Sequence, residues 1–248
     1  MMKSKLSAFT ATAALLAGAS SASADNLALF DFQEFRNHSY ALHLGPYQNT
    51  AESPLVVVTP MSPFGIDVHQ AHTTADATEA PLGSWAALLA VQTTRNTDLD
   101  SPTDNYLAFS MTAAEGTRLS NFSFDFGISN VSDFQNGLDA KAQVFYSRDG
   151  GQTFLKIGDV QQHTSPPPPE DYFSGMINSS IDLGEMPLEA GESIEFRVAF
   201  GTSRSYANDM GGVYVDNFLV QGGMIPEPGM LGIVGLGGLT LLRRRRMT

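Results

Sequence analysis

The stretch Asn121-Phe-Ser-Phe-Asp-Phe-Gly-Ile-Ser129 alternates large apolar and small polar side chains without a break. Successive side chains of a strand point to opposite faces, so Phe122, Phe124, Phe126 and Ile128 share one face and Ser123 and Asp125 the other. As a helix the same residues would scatter their aromatics around the whole axis. A chain built this way needs partner strands beside it and a second apolar layer over its phenylalanines. Residues 193–201 repeat the pattern, with Ile194, Phe196, Val198 and Phe200 facing inward and Glu195 and Arg197 outward.

Further short runs fit strands at 28–33, 55–60, 105–112, 141–147, 153–160 and 213–220. The apolar segment Ser84–Thr94 fits a strand or a short helix, and its terminal Val and Thr favour the strand. Roughly eight or nine strands in about 200 residues, with no alternating helical pattern, predict an all-β fold. The expected form is an antiparallel β-sandwich of jelly-roll type, one domain over 25–223. A hydrophobic content of 42% is enough to fill its core. The sequence contains no cysteine, which excludes disulfides and thiolate chemistry. The proline run Ser165–Asp171 reads as a stiff surface loop of polyproline II type.

Both ends carry targeting signals. Lys3 and Lys5 precede an apolar stretch and then the small residues Ala22 and Ala24, which mark residues 1–24 as a cleavable signal peptide with the mature chain starting at Asp25. At the other end, Gly229–Leu242 has no charge and is followed by Arg243, Arg244, Arg245 and Arg246. As a helix this run would span about 21 Å against a hydrocarbon core of about 30 Å, which makes a short transmembrane helix. The arginines hold their end in the cytoplasm, so the body faces the periplasm from the inner membrane. Pro226 and Pro228 prevent the helix from extending backward and leave Pro226-Glu227-Pro228 extended at the membrane surface.

A Pro-Glu-Pro triplet, a short Gly/Leu span and a terminal Arg cluster, in that order over residues 224–248, resemble the PEP-CTERM sorting signal of Gram-negative bacteria. The resemblance implies processing by signal peptidase and by an exosortase-like membrane protease acting near Pro226, Glu227 and Pro228. It implies transient residence in the inner membrane, then release to the cell surface or an extracellular matrix, in a family associated with exopolysaccharide.

The chain's formal charge of −12 understates the acidity of the exported part. The two ends hold six of the 14 Lys and Arg but only one of the 26 Asp and Glu, leaving about −17 on the body. Nucleic acid is therefore excluded as a partner.

Within the body, Ser147, Asp149, Gly151 and Thr153 form a pattern that resembles an Asp-box, a turn-forming element of exported β proteins that lies away from catalytic centres. Asp149-Gly150-Gly151 suits a tight hairpin, since glycine accepts positive φ and Asp bonds neighbouring amides. The loop residues Asn96, Asp98, Asp100 and Asp104 offer hard oxygens at alternate positions, which suits a Ca²⁺ ion. An EF-hand would need Gly where Ser101 stands and Glu where Leu107 stands. Asp67, His69, His72 and Asp76 have metal-ligand types without a zinc spacing and read as a polar loop. Asp216 and Asn217 interrupt an apolar strand and are expected to form structural hydrogen bonds. Trp85, Tyr172 and Tyr206 are aromatics able to stack on sugars, although Trp85 sits in an apolar segment and reads better as core.

No Gly-x-Ser-x-Gly elbow and no Gly-rich phosphate loop occurs, so no catalytic residue and no cofactor beyond calcium is assigned. The expectation is an exported, non-enzymatic β-sandwich with a structural, adhesive or glycan-binding role. Its alternatives are a carbohydrate-active hydrolase acting on exopolysaccharide, in which outward acids such as Asp125 and Glu195 would work, and a plain membrane-anchored periplasmic protein.

Overall fold

The structure, a computed structural model, describes residues 24–32, 46–72, 85–90, 99–100, 105–129, 138–165, 177–202 and 212–225. They form strands β1 (Asp25–Phe30), β2 (Val56–Val58), β3 (Ser62–Phe64), β4 (Asp67–His72), β5 (Trp85–Ala90) and β6 (Tyr106–Ala113). These are followed by β7 (Thr117–Ser129), β8 (Leu138–Ser147), β9 (Leu155–Ser165), β10 (Ile177–Leu188), β11 (Ser193–Thr202) and β12 (Gly212–Met224), with no helix among the described residues.

The first sheet runs β10-β7-β12-β5-β4, with β1 also on β12. The second runs β2-β6-β11-β8-β9, with β3 also on β6. Every pairing is antiparallel.

The two alternating segments lie in different sheets and face each other. Phe122, Phe124 and Phe126 of β7 are fully buried, as are Ile194, Phe196, Val198 and Phe200 of β11. Phe122 meets Phe196 at 5.3 Å between ring centroids and Phe109 of β6 at 6.2 Å, while Phe30 of β1 lies 4.9 Å from Phe109. Burying a side chain of this size stabilises the fold by about 1.5–3 kcal/mol, so these interlocked rings are the main seam between the layers. The all-β sandwich expected from the alternation is therefore present.

Among the described residues twelve strands are found against the eight or nine expected. The additional β10 hides its alternation behind Gly184 and Glu185, both at positive φ (64° and 57°), where the register with β7 shifts between Asp182 and Met186. Residues 67–72, expected as a polar loop, form β4 instead, because Trp85–Ala90 supplies a strand for them to pair with along their whole length. The first strand begins at Asp25, three residues earlier than its apolar run.

The connections sort by pole. One pole collects the turns around Gly116, Gly191 and Gly150, the start of β1 and the end of β12; Met224 pairs with Thr117, and the Ile225 N–H donates to the Gly116 carbonyl at 2.9 Å. Asp25 sits opposite Gly222, so the chain enters and leaves the sandwich side by side. No described helix is long and apolar enough to cross a membrane. The expected signal peptide and C-terminal helix lie outside the described residues.

Candidate functional site

On the outer face of the second sheet, Arg197 of β11 sits between Ala108 of β6 and Phe145 of β8. Its guanidinium carbon lies 4.5 Å from the ring centre of Tyr106 and 3.9 Å from that of Phe154, so the cation is held between two aromatic faces. The Nε of Arg197 donates to Oε1 of Glu195 at 2.7 Å. Phe64 of β3 pairs in register with Tyr106 and stacks on it at 4.9 Å with 18° between planes. The result is a row of planar groups, Phe64–Tyr106–Arg197–Phe154, crossing the face of the sheet. Tyr106 is buried in it, whereas Phe64 remains 47% exposed at its end. A satellite cluster of Leu99, Tyr106, Ala108, Phe145 and Ala199 packs on this face, with Phe154 against it.

The Asp-box-like turn holds Phe154 in place. The Ser147 hydroxyl donates to Asp149 Oδ1 at 2.7 Å and accepts from the Gly151 N–H at 2.9 Å. Asp149 Oδ1 also accepts the Gln152 and Thr153 N–H groups at 3.0 and 2.9 Å, and Oδ2 accepts the Thr153 hydroxyl. These bonds, that of the Thr153 hydroxyl foremost, hold the Asp149 carboxyl well below the usual carboxylate range. Gly151 has φ 84°, and a Cβ there would come within 3.0 Å of Glu195 Oε2. The turn thus leans on the Glu195–Arg197 pair and presents Phe154 to it.

Of the expected calcium ligands, Asp100 forms an ion pair with Lys156 of β9, and Leu99 beside it is buried in the satellite cluster. Asn96, Asp98 and Asp104 lie outside the described residues. Among the described residues no three His, Asp or Glu side chains converge to hold a metal ion. Ala24 and Asp25 are exposed beside a groove that includes Leu29 and Pro54. Ala22, Pro226, Glu227, Pro228 and Arg243–Arg246 lie outside the described residues, as do Tyr172 and Tyr206. The three aromatics that do gather, Phe64, Tyr106 and Phe154, carry no shared sequence pattern, since only strand register and a hairpin turn unite them.

The outer face of the first sheet is different in kind. Asp125 of β7 and Asp216 of β12 are opposite each other in register, and both are only 3% exposed. Asn178 Nδ2 donates to Asp125 Oδ1 at 2.7 Å, and Asn217 Nδ2 to Oδ2 at 2.9 Å. Asn217 sits at φ 52° in a break of the β7–β12 register, and its N–H donates to Asp216 Oδ1 at 2.8 Å. Burial pushes the Asp216 carboxyl up to about 8; the Asn217 amide opposes this, while the charges of Asp125 and Asp31 add to it. Buried to this degree, neither carboxyl presents a face to a sugar. Asp125 thus departs from the sequence expectation, being turned away from the core yet covered.

No protein-family model and no curated protein matches the sequence. Among solved structures, the carbohydrate-binding module TmCBM27, described for specific mannan recognition, is similar at 13% identity and a TM-score of 0.36 over 67% of this chain and 97% of its own. A xylan-binding domain from CBM 22 is similar at 13% identity and 0.33, over 76% and 96%. The enzymatically active domain of bacteriophage CBA120 tailspike protein 4 is similar at 13% identity and 0.31 over 69% of this chain, which spans about a fifth of that domain's length. At these scores the architecture rests on the strand pairing itself.

Proposed function

We propose that the chain is an exported β-sandwich of jelly-roll type that binds polysaccharide at the cell surface or in the extracellular matrix, without cleaving it. The observation that carries this reading is the planar row on the second sheet, ending in the exposed ring of Phe64. The C–H face of a pyranose is apolar and flat, and an exposed aromatic ring held by stacking on its neighbour is a ready surface for it. Arg197 and Glu195 neutralise one another beside the row, so it is suited to hydroxyl-rich neutral sugars. The acidic body disfavours polyanions.

The signal at residues 1–24 and the tail at 224–248 supply the route, with signal peptidase and an exosortase-like protease as processing partners. Intact mass of the protein recovered from its host's envelope and medium tests this: a form starting at Asp25 and ending near Pro226–Gly229 is expected outside the inner membrane.

Binding is tested by affinity electrophoresis in gels containing soluble mannan, xylan or the host's own exopolysaccharide. Retardation in at least one gel, weakened about tenfold by Phe64→Ala, is expected, in line with the ~1–1.5 kcal/mol of one aromatic stack. Unchanged mobility in all three gels would remove the reading. Release of reducing ends would move the protein to the hydrolases.

A further inference from the structure

A row of polar groups on the outer face of the first sheet crosses four strands: the half-buried Asp31 just after β1, the buried Asp216 on β12 and Asp125 on β7, and the exposed Asn178 on β10. It is separate from the aromatic row and goes beyond the polysaccharide reading. The two central acids have unequal support. Asp125 accepts a side-chain amide on each oxygen, both from residues fixed in neighbouring strands, which suits a full negative charge. Asp216 receives, among the described residues, the N–H of the next residue alone. Among the described residues neither acid forms an ion pair with a Lys or Arg. The charged groups among the described residues that face Asp216 are Asp125 from β7 and Asp31 from the end of β1, both of its own sign. On its remaining side, β5 consists of Trp, Ala and Leu only and has nothing that titrates.

Two carboxylates paired in register, each 3% exposed and with no cation beside them among the described residues, repel strongly in a medium that screens poorly. We infer that Asp125 and Asp216 carry one negative charge between them, that the folded protein keeps a proton on Asp216 through neutral pH, and that losing it loosens the seam of β7, β12 and β1. The pair is a proton-dependent latch on the strand that leads to the C-terminal tail. Burial, which pushes Asp216 up to about 8, gives the latch its range. In the unfolded chain the same carboxyl ionises near pH 4. The folded state therefore binds the extra proton, and the contribution is complete below about pH 4, declines as pH rises and is gone once Asp216 ionises near 8.

The test is thermal melting of the purified full chain from pH 5 to pH 9, wild type beside Asp216→Asn, which keeps the shape of the protonated acid and has no charge at any pH. The wild-type Tm is expected to fall by about 5–10 °C across this range, a fall that Asp216→Asn removes. Parallel curves would overturn the inference. Should the variant fail to fold, carboxyl ¹³C NMR of aspartate-labelled wild type decides: one signal titrating above pH 7 supports the latch, and titration of every signal below pH 5 overturns it. Melting at pH 8 in millimolar calcium and in EDTA should give the same Tm. A calcium-dependent rise lost in Asp216→Asn would mean that a cation, not a proton, neutralises the pair, and would equally overturn the inference.

Discussion

The two sheets place their polar residues by the same period-two rule and put them to opposite uses. On the second sheet the outward residues Glu195 and Arg197 stay at the surface, and aromatic rings gather around the guanidinium. On the first sheet the outward residues Asp125 and Asp216 are covered, and amides gather around a carboxyl. A half-buried cation between rings still reaches the surface. A covered carboxylate can only serve the fold, because its charge must be met by its own neighbours. Facing away from the core is thus no measure of availability, and the alternation alone does not separate the two faces.

That contrast can be broken experimentally. The largest effect belongs to Asp125→Ala, which removes the charged acceptor shared by the side-chain amides of Asn178 and Asn217. A loss of about 3 kcal/mol is expected in urea denaturation, against less than ~0.5 kcal/mol for Phe64→Ala. Equal losses for the two would erase the distinction between the faces.

Arg197→Lys sharpens the other side. Lysine keeps the charge beside Glu195 but lacks the flat group that fills the gap between Tyr106 and Phe154. Stability should drop by about 1 kcal/mol and polysaccharide retardation should weaken about tenfold, as read in the same gels. A variant that binds as wild type would show that Phe64 acts without the row behind it.

The smallest effect lies in the core between the sheets, where Ser179 Oγ is buried without a hydrogen-bond partner. Ser179→Ala should raise the denaturation midpoint, by about 1 kcal/mol of added stability, since no bond is lost and one desolvated hydroxyl is removed. A destabilised variant would show that the hydroxyl has a role in packing that the contrast between core and outer faces does not capture.

How far the sequence could be read depended on whether a pattern was local. The inward faces of β7 and β11 were legible because their alternation runs unbroken for eight or nine residues, long enough to exclude a helix. Strand β10 was not, because Gly184 and Glu185 turn the backbone at positive φ and shift the period midway. Strand β4 was missed because its polar composition matches a loop, and only the presence of β5 makes it a strand. The turn at Ser147–Thr153 was legible because every bond that shapes it falls within a few residues. The aromatic row was not: Phe64, Tyr106, Phe154 and Arg197 are far apart in the chain and meet through the β3–β6 register, the β6–β11 register and one hairpin. The same holds for Asp125 and Asp216, 91 residues apart, each readable as an outward acid and neither readable as the other's neighbour.

The antiparallel placement of β1 against β12 has a mechanical consequence. A pull applied at Ile225, as by a tether, enters the domain along the axis of β12. That strand is hydrogen-bonded to β7 on one side and to β1 and β5 on the other. The load falls on both ladders in shear, so many bonds must give way together rather than one after another from an end. A surface domain held by its C-terminus while gripping a long polymer on its opposite sheet would be loaded across its aromatic core. There the interlocked rings of Phe122, Phe109 and Phe196 carry the force from one layer to the other.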